Sequence, residues 1–126
     1  MGGIGALRYG LDLGAEAVLA TGAMTSLAAN IGDPVPEDEK AVSRQLGADA
    51  VDLLPLFRAA SVIPRVTLIH PGGMGRDTLH AQRFAGLPGA RVVAIPDFDG
   101  HDVLPRLIAE DRFDREIALL LGDEPR

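Results

Sequence analysis

An aspartate and a histidine, two residues that can share a proton task, occupy comparable places in the second half of this sequence. Asp77 follows the turn Pro71-Gly72-Gly73, and His101 lies between Gly100 and Asp102, just ahead of an apolar helical pattern. A carboxylate that holds an imidazole in one tautomer makes it an effective general base, which is one half of the machinery of nucleophilic acyl transfer. Each residue alone has a plainer reading: Asp77 as a helix N-cap and His101 as an ordinary residue at a helix start. Asp97, Asp99 and Asp102 surround His101 and read mainly as turn and cap residues, with Asp99 or Asp97 as the substitute acid if Asp77 points away.

The remaining chemistry-bearing residues are few. Ser26, Ser43 and Ser61 are the serines of the chain, and none has glycines placed to build a nucleophile elbow. The absence of cysteine removes disulfides, thiolate metal ligands and a thiol nucleophile. His70 ends a strand pattern and reads as a satisfied structural histidine with a lesser prospect of lining a pocket; His80, one turn beyond Asp77, reads as a surface or packing residue. No H-x-x-x-H or H-E-x-x-H spacing joins the three histidines, so neither a metal nor any other cofactor is expected.

Asp77 and His101 meet only if the elements before them run parallel. Ile4, Leu7 and Leu11 fall at helical spacing and Gly14 stands where helices stop, predicting a helix over 3–13. The uncharged run Ala17 to Thr21, closed by Gly22, reads as a strand buried on both faces. A polar stretch with Asn30, Gly32, Asp33, Pro34 and Pro36 leads into a charged helical segment, 37–45; residues 30–48 are read as a loop or lid-like insertion. Helix 52–60, with Pro55 in its first turn, leads to strand 65–70, helix 77–85, strand 91–95 and apolar helical pieces at 103–108 and 113–121. Strands separated by helical crossovers imply an α/β fold, a parallel sheet of about three strands with flanking helices in a single domain over 1–126. In such sheets ligands bind beyond the carboxyl ends of the strands, where Asp77 and His101 would stand side by side.

Composition narrows the function classes. The 126 residues are 47% hydrophobic but 4% aromatic, so the core is aliphatic, and folding would bury roughly two thirds of the surface of the unfolded chain. The net charge is −6, with Lys40 the single lysine, and neither a basic stripe nor an aromatic platform is present, which argues against nucleic acid. Polar or glycine residues interrupt every apolar stretch before membrane-spanning length, and the start of the chain lacks the basic and apolar regions of a signal peptide. A cytoplasmic location without membrane contact is the expectation.

The opening "MGGIGALRYGLDLGAEAVLATGAM" resembles the sequence just after the nucleophile in the elbow of α/β-hydrolases, where Ser-Met-Gly-Gly begins a helix and a strand follows. The later "VTLIHPGGMGRDTLHAQRFAGLPGARVVAIPDFDGHDVLPRLI" resembles that family's passage from acid to histidine. The resemblance covers nearly the whole chain and implies the C-terminal half of an α/β-hydrolase fold, with the N-terminal half and the elbow serine absent. Gly2 and Gly3 match the elbow glycines, and Met1 the residue whose backbone nitrogen serves the oxyanion hole. Asp77 and His101 match the acid and base of a Ser-His-Asp triad. The implied substrate is a small-molecule ester or acyl compound, and the implied state of this chain is inactive for want of its serine. With no strand ahead of the helix, the Ala17 to Thr21 strand would lie at a sheet edge and invite association there.

Two other readings carry weight. A non-catalytic remnant or binding module would share every feature except the nucleophile. The glycines, helix and strand at the start also resemble the cofactor-binding opening of short-chain dehydrogenases; against that reading stand the lack of a preceding strand, of an acid after Ala20, and of a lysine in Y-x-x-x-K relation to Tyr9.

Overall fold

The computed structural model describes residues 2–23, 25–26, 52–73, 75–96, 98 and 103–122. The elements in chain order are α1 (Gly2–Asp12), β1 (Ala17–Thr21), α2 (Leu53–Ala59), β2 (Arg65–Pro71), α3 (Gly75–Gln82), β3 (Ala90–Ile95), α4 (Leu104–Ala109) and α5 (Arg112–Leu121). The predicted helix at 37–45 and the lid-like insertion at 30–48 lie outside the described residues.

The three strands form one parallel sheet in the order β1-β2-β3, with Val18 opposite Val66 and Leu68 opposite Val92. Because side chains alternate along a strand, the sheet has two apolar faces. On one, Val18, Ala20, Val66, Leu68 and Val92 meet Ile4 and Leu7 of α1, Leu53, Leu54 and Phe57 of α2, and Ala81 of α3. Phe84 closes this core from just beyond α3, its ring standing edge-on to Phe57 at 5.0 Å. On the other face Leu19, Ile69, Val93 and Ile95 meet Val103, Leu107 of α4 and Phe113 of α5. The chain is therefore a small α/β fold with helices on both sides of a parallel sheet, as expected.

Central β2 is buried from Val66 to Pro71, whereas β1 and β3 are the outer strands among the described residues. On the second face α5 is tied to β3 by an ion pair between Glu116, itself buried, and Arg91. Helix ends follow local chemistry: Asp52 caps α2 by accepting from the Leu54 N–H at 3.2 Å, and Gly14 and Gly122 take the left-handed conformation after α1 and α5. No described helix is long and apolar enough to cross a membrane.

Candidate active site

Parallel pairing brings the ends of all three strands to one edge of the sheet. The Gly22 N–H donates to the Ile69 carbonyl at 2.8 Å, joining the exit of β1 to β2. The Gly72 N–H donates to the Ile95 carbonyl at 2.8 Å and the Gly73 N–H to the Phe98 carbonyl at 2.9 Å. The loop leaving β2 is thus hydrogen-bonded, residue against residue, to the loop leaving β3. Gly72 eases this approach, since a Cβ there would lie 3.1 Å from the Ile95 carbonyl oxygen and press on it. Phe98 is steadied by the Arg106 guanidinium of α4, 5.7 Å from its ring centre.

Asp77 stands in the first turn of α3, four residues before Ala81, and so shares the sheet-facing side of that helix. It is 3% exposed, a more deeply buried carboxylate than a cap exposed to solvent would be. The N-terminal glycines of the resemblance, Gly2 and Gly3, form the first turn of α1. Met1 and His101 lie outside the described residues, as do Asp97, Asp99 and Asp102.

Two buried histidines flank Asp77, and one of them departs from its sequence reading. His70, on β2, faces α3 at 2% exposure, with Nδ1 3.2 Å from both the Pro71 carbonyl and the Thr78 hydroxyl. A carbonyl can only accept, so the Pro71 contact calls for a proton on Nδ1, while Nε2 is buried without a hydrogen-bond partner among the described residues. The expectation of a fully satisfied histidine therefore fails at one ring nitrogen.

His80 is 1% exposed and is a packing residue with a specific partner. The Thr25 N–H donates to its Nδ1 at 2.9 Å, and the Thr25 hydroxyl donates to the His80 carbonyl at 3.1 Å. Burial, reinforced by the positive charges of Arg76 and Arg83, lowers its pKa from 6.5 to about 4. Arg83 extends the network by donating to Thr25 Oγ1 at 3.1 Å and to the Asp52 carboxylate at 2.7 Å. Ser26 pairs with Asp52 in an isolated antiparallel bridge, and the Leu53 N–H reaches the Thr25 carbonyl at 3.0 Å. Thr25 and Ser26, both fully buried, were not readable as such, because their partners are 26 to 58 residues away.

Neither buried histidine belongs to a group of three or more potential metal ligands among the described residues. A shallow cleft of about 210 Å³ between Arg65, Thr67, Arg91 and Leu119 opens at the amino ends of the strands, away from Asp77. The chain matches no family model, no curated protein and no solved structure.

Proposed function

We propose that this chain carries the acid and base of an α/β-hydrolase-like site, with Asp77 orienting His101 for hydrolysis of a small-molecule ester or acyl compound. The observation that carries the reading is the hydrogen-bonded pairing of the loops after β2 and β3. Gly73 and Phe98 are joined at 2.9 Å, Asp77 follows the first by four residues and His101 the second by three. Three residues reach at most about 10 Å, and a His101 that acts as the base in this reading would stand within that distance of Phe98. The buried Asp77 carboxylate is what an orienting acid requires: a fixed acceptor, shielded from water, for one imidazole nitrogen.

In this reading the other imidazole nitrogen takes the proton of a serine hydroxyl as that oxygen attacks the acyl carbon. The imidazolium returns the proton to the leaving group, and water then hydrolyses the acyl-enzyme by the same route. The serine belongs at the amino end of α1, ahead of Gly2 and Gly3, and the Met1 N–H would donate to the oxyanion. Among the described residues the serines do not fit this role: Ser26 is buried against Asp52 and Ser61 sits in the bend before β2.

A fluorophosphonate probe tests the assignment. The 126-residue form is expected to remain unlabelled, whereas a form extended upstream by a strand that ends in Gly-x-Ser, with the serine immediately before Met1, is expected to be labelled at that serine. His101→Ala in that extended form should abolish labelling. Specific labelling of Ser26, Ser43 or Ser61, or labelling that survives His101→Ala, would overturn the assignment.

A further inference from the structure

We propose that His70 is a positioning residue for Asp77, acting through its Nδ1 bond to the Thr78 hydroxyl. The inference rests on the acid role of Asp77 given above and adds the residue that fixes where this acid stands.

The α3 helix starts after a glycine-rich turn, and its first turn needs an anchor on the sheet. Thr78 is the residue after Asp77, and its Oγ1 is 3.2 Å from His70 Nδ1 on central β2. The strand end is itself immobilised: Gly22 and Gly72 are bonded to the Ile69 and Ile95 carbonyls, and His70 is buried. A rigid strand thereby holds the first turn of the helix beside the very residue whose carboxylate must be placed within a few tenths of an ångström. A displacement of about 1 Å in such a group can cost on the order of a hundredfold in rate. His70 holds this place although its Nε2 has no partner among the described residues. A buried polar nitrogen without a partner destabilises a fold, which sets the Nδ1 side apart as the working half of the ring.

The test reads the Asp77–His101 hydrogen bond directly, as the downfield proton resonance of the His101 ring N–H in the ¹⁵N-histidine-labelled protein. The resonance is expected in the parent and lost in Asp77→Asn. His70→Ala and Thr78→Val are expected to remove it or move it upfield, while backbone amide spectra report that the sheet remains folded. His70→Asn, whose side-chain amide can stand where Nδ1 stood, should restore the resonance; His70→Gln, which imitates Nε2, should not. If Asp77→Asn removes the resonance and His70→Ala leaves it unchanged, His70 has no positioning role and the acid assignment survives. Rescue by His70→Gln alone would likewise overturn the inference by assigning the role to Nε2. A parent protein without any Asp77-dependent His101 resonance would overturn both the acid assignment and this inference.

Discussion

At His80 the backbone N–H of Thr25 needs a lone pair on Nδ1, and that requirement links a packing residue to the proton. The folded chain keeps this imidazole neutral down to about pH 4, while the unfolded chain takes up a proton near 6.5. Between those values the unfolded state binds more protons than the folded one, so stability falls as pH falls. The contribution is fully present above pH 6.5 and is lost progressively through that window, the loss reaching about 3 kcal/mol once pH has fallen to 4. Urea midpoints measured at pH 7.5, 5.5 and 4.5 should drop more steeply in the parent than in His80→Asn, which offers Thr25 an acceptor without a titrating ring. Equal slopes would show that His80 is not the linked group. The same side chain also shows what a sequence reading reaches and misses. Its spacing after Asp77 was enough to place it on α3 and to suggest packing, but Thr25 is 55 positions away and meets it only through the parallel crossover.

At the scale of an element, α1 carries two interior glycines with opposite surroundings. A methyl group on Gly5 would meet nothing within 4 Å, whereas one on Gly10 would overlap the Cγ2 of Val18 on β1. Gly5→Ala should therefore stabilise the protein by about 0.5–1 kcal/mol through helix propensity alone. Gly10→Ala gains the same propensity but must push α1 off the sheet; overpacking costs about 1–3 kcal/mol, and the sum is destabilising. Thermal melts of the two variants should move in opposite directions, and a rise for both would mean that α1 does not seat against Val18. Such helices and strands were legible because their signals are local. Ile4, Leu7 and the Gly14 stop set α1, and Asp52 caps α2 within two residues of its own position. The end of α3 was less legible: the helix stops at Gln82, short of the predicted 85, where Phe84 and Leu87 turn into the core, and a left-handed glycine, Gly89, stands at the entry to β3. The candidate site was half legible, since Asp77 and its neighbouring loops follow from strand order, whereas the His70–Thr78 bond depends on how α3 is tilted over β2.

For the whole molecule, the decisive feature is that the chain closes on itself at Ser26 and Asp52. These residues form an antiparallel bridge, the Leu53 N–H bonds Thr25, and Arg83 holds both Thr25 Oγ1 and the Asp52 carboxylate. The stem therefore has its own hydrogen bonds, with buried His80 on α3 and half-buried Arg83 just beyond it as anchors, and the 25 residues from 27 to 51 run between its two ends. An antiparallel bridge keeps the two backbones about 5 Å apart, which a four-residue turn can span. Replacing 27–51 by such a turn shortens the loop from 25 residues to four, and the closure entropy recovered is about 1–2 kcal/mol. If the stem alone fixes this part of the fold, the shortened protein should keep its circular dichroism spectrum and melt at or slightly above the parent temperature. A melt lowered by many degrees would mean that 27–51 contributes packing to the core, and the stem could then not be the unit that closes the domain. Asp52→Ala in the shortened protein completes the argument. It removes both the α2 cap and the Arg83 partner, and should cost about 1–3 kcal/mol there as it does in the parent, because the same stem bears the loss in both.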